Sequence, residues 1–178
     1  FSKIQDDGPI LIARDGREHG KAFSEKLCQS LTYINRTVIN CGIIPTPTAQ
    51  FIVTENNYAG GIVITASHNP SNWNGLKFID NDGCFLTLEK NQILLNALSS
   101  FPENFNAPNQ NNKILDYHDD AINNHLSNII NLSVVNLNRI KNKKYKVVID
   151  AVNSSASKIL PMLLEKFDCD VITVNCDS

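Results

Sequence analysis

The hexapeptide TASHNP, residues 65–70, places a serine and a histidine directly after the apolar run 62–64, and Lys77 follows in the next apolar run. A serine hydroxyl can act as a nucleophile or carry a phosphoryl group, and a histidine or lysine can balance the charge of that group. In a parallel α/β sheet, residues just beyond the carboxyl ends of the strands form the ligand site. An asparagine and a proline suit a stiff turn here, so we expect Ser67 to be held outward.

Three roles are open to Ser67 from its residue type alone. A hydrolase nucleophile needs a histidine within hydrogen-bond reach, but His68 is its chain neighbour and would diverge from it on an extended backbone, and no G-x-S-x-G elbow is present. A phosphate-carrying serine needs nearby cations and backbone N–H donors, which Lys77, His68 and the region of Gly75 could supply. A purely structural turn residue needs none of these.

Two other clusters of polar residues could have a chemical role. Arg14, Asp15 and Arg17 follow the first apolar run and are most simply an ion-pair network that holds the loop there. Histidines and aspartates in the second half of the chain have the types of metal ligands, but their spacing favours a solvated helix face, so we assign no metal to them. They are His118, His125, Asp116, Asp119 and Asp120.

Composition is that of a globular protein: 178 residues, 42% hydrophobic and 19% charged. The net charge of −2 points to neither nucleic acid nor an anionic membrane, and no apolar run is long enough to span a bilayer. Five scattered cysteines without a C-x-x-C pair indicate free thiols. We therefore expect a cytoplasmic protein with no nucleic-acid or membrane partner, and the pattern says nothing about its oligomeric state.

Short apolar strands alternate with helical patterns along the first hundred residues. Strands are expected at 9–15, 36–44 and 60–65, with helices at 18–35 and from Thr46, as the cap, to about Asn57. A further strand at 75–80, a turn at 81–85 and a helix from a Thr87 cap to Leu98 follow. This order predicts a three-layer α/β/α fold with a mainly parallel, mixed sheet.

The second half begins with a polar linker at 99–113, followed by a helical face that runs from Ile114 to Ile130. Residues 146–176 then read as strand, turn, helix and strand, a βαβ unit too short to bury its own core. We therefore divide the chain into a first domain, 1–142, and the beginning of a second, similar α/β domain, 143–178. Neither end looks complete, and the chain is interpreted as a piece of a longer protein.

The motifs now identify a family. TASHNP followed by NGLKF resembles the phosphoserine loop of the α-D-phosphohexomutases, which comprise the phosphoglucomutases, phosphomannomutases and phosphoglucosamine mutases. ARDGRE, GIIPTPTAQF and KVVIDAVNSSAS are similar to three further elements of that family and occur in the same order. The resemblance implies that the chain is the first domain, without its N-terminal segment, and the opening of the second domain of a four-domain enzyme. NSSAS replaces a glycine-richer turn, so the geometry of that turn is expected to differ.

The resemblance also implies roles for individual residues. Ser67 would carry the phosphoryl group, and an oxygen of that group would be a ligand of Mg²⁺. His68 and Lys77 would be acid/base and electrostatic partners. The remaining candidates would shape the loop or lie on its substrate side: Thr65, Asn69, Arg14 and Arg17. The other Mg²⁺ ligands of the family come from a D-G-D-x-D-R loop that this sequence does not contain.

The reaction implied is the interconversion of hexose 6-phosphates and hexose 1-phosphates through a phosphoserine and a bisphosphorylated sugar. Phosphoglucosamine mutase is the expected member, with phosphomannomutase or phosphoglucomutase as the alternative. The partner is then a hexose phosphate, and the 178 residues by themselves are expected to be inactive. A sugar-phosphate-binding module without turnover and a serine hydrolase are the competing hypotheses.

Overall fold

The computed structural model describes residues 1–99 and 114–177. The linker expected at 99–113 therefore lies outside the described residues, apart from Ser99. The strands are β1 (Ile10–Arg14), β2 (Val38–Ile43), β3 (Gly60–Ile64), β4 (Leu76–Ile79), β5 (Ile114–Asp116), β6 (Lys146–Asp150) and β7 (Asp170–Val174). The helices are α1 (Gly20–Tyr33), α2 (Thr46–Glu55), α3 (Leu88–Ser99), α4 (His118–Ile130), α5 (Leu137–Lys141) and α6 (Ala156–Lys166), and a 3-10 helix (Ser2–Ile4) precedes β1.

A mixed five-stranded sheet with the strand order β4-β3-β1-β2-β5 forms the central layer of the fold. β1 pairs in parallel with both β2 and β3, and β5 pairs in parallel with β2. β4 is antiparallel to β3 because a short loop joins the two strands, whereas parallel neighbours need a long crossover such as α1 or α2. The carboxyl ends of β1, β2 and β3 consequently meet at one edge of the sheet, where the strand order reverses about β1.

Helices cover both faces of this sheet and bury the first four residues of β1, 10–13. Ile10 and Ile12 pack on one face against Leu31 of α1. Leu11 packs on the opposite face in the core that contains Ile52 of α2, and α4 adds its apolar side to the same core. Full burial of each such side chain contributes roughly 1.5–3 kcal/mol. The three-layer α/β/α fold expected from the sequence is confirmed.

Two details of the predicted elements are wrong. Ile114 and Leu115 are not helical but lie in β5, where they pair with Val38 and Ile39 of β2. A strand of three residues is too short for its period to be told from that of the helix that follows it. Thr46 is the first residue of α2 rather than its cap, because the extended backbone of Pro45 already makes the entry into the helix.

The predicted cap of α3 agrees with the structure. The Oγ1 atom of Thr87 accepts a hydrogen bond from the backbone N–H of Lys90 at 3.2 Å. α5 was not expected; it begins at an asparagine cap, where Asn136 Oδ1 accepts from the Arg139 N–H at 2.9 Å. Among the described helices, none is long and apolar enough to cross a membrane.

The unit β6-α6-β7 has the expected strand, helix and strand, with the two strands paired in parallel. Its sheet leaves apolar side chains uncovered: Val148 is 64% exposed and Ile172 is 48% exposed. Its helix, however, docks on the first sheet, because Ile159 of α6 is buried in the core that contains α2 and α4. Lys158 of α6 also forms an ion pair with Asp119 of α4 at 2.6 Å.

The turn between β6 and α6 contains two consecutive residues with left-handed backbone. Val152 has φ 46° and Asn153 has φ 50°, and neither residue is a glycine, which would adopt this conformation without strain. Asparagine tolerates this region, but a β-branched residue is an outlier there. These two residues lie just before and at the start of the NSSAS sequence, 153–157.

Candidate active site

The loop after β3 presents Ser67 to solvent at the carboxyl edge of the sheet. Ser67 and His68 are exposed, whereas Thr65, at the base of the loop, is 9% exposed. Ser67 has φ 55°, a left-handed conformation that a serine adopts only when its surroundings hold it there. The expected outward position of Ser67 is confirmed, and the strained backbone identifies this loop as the leading candidate for a functional site.

The side chain of Arg17 holds the Ser67 loop through its backbone carbonyl groups. Its Nη2 atom donates to the carbonyl oxygens of Ser67 at 2.9 Å and Asn69 at 2.8 Å. Its Nη1 atom donates to the carbonyl oxygens of Pro70 at 2.7 Å and Trp73 at 3.1 Å. Arg17 therefore connects the loop that follows β1 to the whole of the loop that follows β3.

Asp15 completes this arrangement from the other side of the guanidinium group. Its carboxylate accepts from Nε of Arg17 at 3.1 Å and from the hydroxyl of Thr65 at 2.7 Å. Thr65 Oγ1 in turn accepts from the backbone N–H of Ser67 at 3.0 Å. We call Asp15, Arg17 and Thr65 the loop clamp.

The loop clamp decides between two roles for Arg17. A guanidinium group has five N–H donors, and Arg17 directs all five at protein oxygen atoms. Its side chain is 12% exposed and its charge is paired with Asp15. Arg17 is consequently placed to shape the loop, and it has no donor left for a phosphate on a substrate.

Arg14 is the freer of the two arginines. Its described hydrogen bond is the one from Nη1 to the carbonyl oxygen of Asp15 at 3.1 Å. Burial lowers the pKa of Arg14, and the nearby carboxylates of Asp15 and Glu25 oppose that shift. Arg14 does not join the loop clamp, so the expected ion-pair network is formed by Asp15 and Arg17.

The turn within the loop is closed by the backbone rather than by the side chain of Asn69. The N–H of Asn69 donates to the carbonyl oxygen of Ala66 at 3.1 Å, and the Ser67 N–H donates to the Thr65 hydroxyl. Asn69 and His68 are both exposed, and within the described part of the chain no hydrogen bond joins His68 to Ser67.

Lys77 lies on β4, directly opposite Val63 of β3. Its ammonium group is 5.7 Å from the centre of the Phe85 ring, a cation–π contact. Within the described residues, no hydrogen bond or ion pair connects Lys77 to the Ser67 loop. β4 pairs with the strand that leads into the Ser67 loop, but the ammonium group of Lys77 lies over an aromatic ring.

The described residues offer little for a metal ion. Among the described residues, no group of three or more histidine, cysteine, aspartate or glutamate side chains is arranged to hold one. Asp116, Asp119 and Asp120 lie on the solvated face expected from the sequence, but that expectation is wrong for His125, which is half-buried and stacks on Phe51. His118 instead bonds to Asp119 at 2.9 Å, and Thr48 bonds to His125 at 2.9 Å.

Two contacts at the site were not anticipated from the sequence. Thr65 serves both as acceptor for Ser67 and donor to Asp15, although its position before the serine gave no sign of either bond. The hydroxyl of Ser154, from the turn before α6, accepts a hydrogen bond from the backbone N–H of Gly16 at 3.0 Å. The bonds of Ser67 and Gly16 involve backbone N–H groups, which residue types do not reveal.

Comparisons with known proteins give a consistent result. Residues 1–103 match the sequence model of a family described as phosphoglucomutase/phosphomannomutase, alpha/beta/alpha domain I. A phosphoglucosamine/phosphogalactosamine mutase of Sulfurisphaera tokodaii is 34% identical over 168 residues, covering 93% of this chain and 36% of that protein. A phosphoglucomutase/phosphomannomutase of Thermococcus kodakarensis is 34% identical over 166 residues, covering 93% of this chain and 36% of that protein.

The fold has solved counterparts as well. The structure of a phosphoglucomutase/phosphomannomutase family protein from Burkholderia thailandensis covers 96% of this chain and 36% of its own, with a TM-score of 0.69 at 22% identity. At that identity the likeness concerns the fold. The chain spans about 36% of the length of the two curated relatives.

Proposed function

We propose that this chain, which belongs to the phosphoglucomutase/phosphomannomutase family, carries a phosphoryl group on Ser67 as part of a hexose-phosphate mutase. The observation that carries this proposal is the exposed, left-handed Ser67 held by the loop clamp. A left-handed conformation costs of order 1–3 kcal/mol, and at Ser67 the loop clamp holds the backbone in it. A serine that must meet a sugar hydroxyl repeatedly in one geometry needs a backbone fixed in this way.

The proposed reaction moves the phosphoryl group twice. A hydroxyl oxygen of the hexose monophosphate attacks the phosphorus on Ser67, a new P–O bond to the sugar forms, and the bond from phosphorus to Ser67 Oγ breaks. The sugar hydroxyl loses its proton and the serine oxygen gains one. The bisphosphorylated sugar then returns its other phosphoryl group to Ser67 by the reverse steps, so that the phosphate has in effect moved along the sugar.

The residues of this chain contribute positioning and charge, which are the main sources of catalysis in phosphoryl transfer. The loop clamp fixes the backbone on both sides of Ser67. His68 and Lys77 are our candidates for moving the proton and compensating charge on the phosphoryl oxygens. Mg²⁺, held in part by an oxygen of phospho-Ser67, would further offset that charge, with its carboxylate ligands supplied from outside residues 1–178.

Among substrates we favour glucosamine phosphates. The motif TASHNP with WNGLKF, and the name of the Sulfurisphaera relative, support an amino sugar. The Thermococcus relative supports the alternative of glucose or mannose phosphates. We expect the sugar to be recognised by residues outside 1–178, so the assays must include glucosamine, glucose and mannose phosphates.

The competing functions draw less support from the geometry. A serine hydrolase would need a base on Ser67, and within the described residues neither His68 nor another histidine bonds to it. A binding module without turnover would need no strained carrier. We also propose a cytoplasmic location, since all five cysteines lie in the described residues as free thiols.

Replacement of Ser67 tests the proposed function in the longer protein that we expect to contain this chain. Ser67→Ala should lower the interconversion of glucosamine 6-phosphate and glucosamine 1-phosphate by several orders of magnitude. Ser71→Ala is the matched control, because Ser71 is an exposed serine of the same loop region. Near-normal turnover by Ser67→Ala would remove the serine from the mechanism.

A further inference from the structure

The turn between β6 and α6 lies directly against the loop that carries the clamp. A Cβ atom added to Gly16 would lie 2.4 Å from the carbonyl oxygen of Asn153 and 2.8 Å from Cα of Ser154. These are backbone atoms, so the approach is possible only because residue 16 has no side chain. Gly16 also donates its N–H to Ser154 Oγ at 3.0 Å.

Gly16 stands between the two residues of the loop clamp that come from this loop. Asp15 Oδ1 accepts from the Arg17 N–H at 3.0 Å, so the backbone around Gly16 forms a tight turn. A shift of Gly16 would move the carboxylate of Asp15 and the guanidinium of Arg17 together. Both groups hold the Ser67 loop, and they would transmit that shift to it.

The turn that supports Gly16 is itself well fixed. The Val152 N–H donates to Asp150 Oδ1 at 3.0 Å, and the Asn153 N–H donates to the carbonyl oxygen of Asn175 at 2.6 Å. The Ser154 N–H donates to the carbonyl oxygen of Ala151 at 3.0 Å. Val152 and Asn153 keep left-handed conformations under these bonds, so the turn holds Ser154 in one place.

The position of the turn is set by how α6 docks. Ile159 is buried in the core beside α2 and α4, and Lys158 is paired with Asp119. The turn immediately precedes this helix. Any movement of the second unit relative to the first sheet would therefore act on Gly16 through Ser154.

We propose that Ser154 is a positioning residue for the phosphoserine loop, and that the second unit stabilises the reactive geometry of Ser67 through the path Ser154, Gly16 and the loop clamp. The effect on phosphoryl transfer rests on the proposed function, but the effect on the loop does not. The second unit then acts on the carrier serine through the backbone of the first, in addition to any residues that it brings to the substrate.

The test is the solvent exchange of the Ser67 and Asn69 amide protons, measured by NMR on the longer protein that we expect to contain this chain. Ser154→Ala removes the acceptor for Gly16, and we expect both amides to exchange about fivefold faster, as for the loss of one hydrogen bond. Ser154→Thr keeps a hydroxyl and should behave like the wild type. Ser155→Ala is the matched control, because Ser155 caps α6 without a side-chain hydrogen bond.

Core amides of β1 and the melting temperature report global stability in the same samples. Faster exchange at Ser67 and Asn69 in Ser154→Ala, with unchanged exchange in β1, supports the proposal. Unchanged loop exchange in Ser154→Ala, or an equal change in Ser155→Ala, overturns it. If Ser154→Ala lowers global stability, the comparison with Ser154→Thr decides. Loop amides of Ser154→Thr that exchange at the wild-type rate support the proposal. Loop amides of Ser154→Thr that exchange as fast as those of Ser154→Ala contradict it.

A kinetic arm separates this proposal from the proposed function. In the longer mutase, Ser154→Ala should lower kcat with little change in KM, because the hydroxyl supports the loop rather than the sugar. An inactive wild-type enzyme with faster loop exchange in Ser154→Ala would contradict the proposed function and leave the support of the loop established.

Discussion

Single residues at this site act mainly through backbone groups. Arg17 binds the Ser67 loop by four carbonyl oxygens, and Arg36 binds the N-terminal segment in the same way, through the carbonyl oxygens of residues that include Ser2 and Gln5. The sequence marked Arg17 as part of an ion pair but could not show which loop it holds. Every residue offers the same carbonyl group, so no residue type signals such a partner.

Replacement of Arg17 by lysine should loosen the Ser67 loop while keeping the positive charge. An ammonium group has three donors at one point and cannot span four carbonyl groups and a carboxylate. We expect Arg17→Lys to lower kcat of the mutase on the order of 10²-fold, the cost of a small displacement of a reacting group. Arg36→Lys is the matched control, because Arg36 binds backbone carbonyl oxygens of the N-terminal segment instead of the Ser67 loop.

Steady-state kinetics with melting curves will decide this prediction. Equal effects of Arg17→Lys and Arg36→Lys on kcat would show that the loss is not specific to Arg17.

Removal of the charge on Lys77 should affect turnover far more than stability. Its described contact is the cation–π pair with Phe85, worth about 0.5–1 kcal/mol at exposed sites. If Lys77 compensates charge during transfer, Lys77→Met should lower kcat on the order of 10²-fold or more. Phe85→Leu removes the ring and keeps the ammonium, so this control should turn over normally. A Lys77→Met enzyme with wild-type kinetics would make Lys77 a surface residue.

At the scale of elements, the order of strands and helices through β4 could be predicted because apolar periodicity and turn residues agree along that stretch. β5 could not, since it is three residues long and directly precedes α4. α5 could not be predicted either, because it has five residues and no buried residue, and so no apolar face. The order of strands in the sheet and the docking of α6 depend on contacts distant in sequence, which one-dimensional patterns do not contain.

Val152 is predicted to destabilise the turn before α6. It is 73% exposed, so its side chain gains little from burial, and its left-handed backbone costs about 1–2 kcal/mol. Val152→Asn should raise the melting temperature by roughly 2–4 °C, because asparagine tolerates this conformation. Val134→Asn is the control, as Val134 is 87% exposed without positive φ. An equal rise of the melting temperature in both variants would show that the left-handed backbone of Val152 is not its cause.

The contact between α2 and α4 should make stability depend on pH. His125 of α4 bonds to Thr48 and stacks on Phe51 with ring centres 5.0 Å apart, and burial lowers its pKa below the ordinary 6.5. The folded state therefore disfavours the protonated ring. This stability is fully present above about pH 6.5, the unfolded pKa, and is lost as the pH falls towards the folded pKa.

Thermal melts between pH 5 and pH 8 check this expectation. His125→Gln keeps a hydrogen-bonding group without a titrating ring, and its melting temperature should vary less over this range than that of the wild type. Parallel curves for the two proteins would show that His125 is not the titrating group.

At the scale of the whole molecule, the chain contains the proposed carrier serine and its support but no described cluster of carboxylates for Mg²⁺. We therefore expect residues 1–178 to lack mutase activity by themselves. The chain spans about 36% of the length of each of the two curated relatives.

The most direct test of the central claim is the location of phosphate in the purified longer protein. Intact-mass analysis followed by peptide mapping should find one phosphoryl group, on the peptide that contains Ser67, and incubation with the hexose monophosphate should transfer it to the sugar. Ser67→Ala should abolish this modification and Ser71→Ala should keep it. Phosphate on another residue, or a phosphate on Ser67 that the sugar cannot remove, would contradict the account.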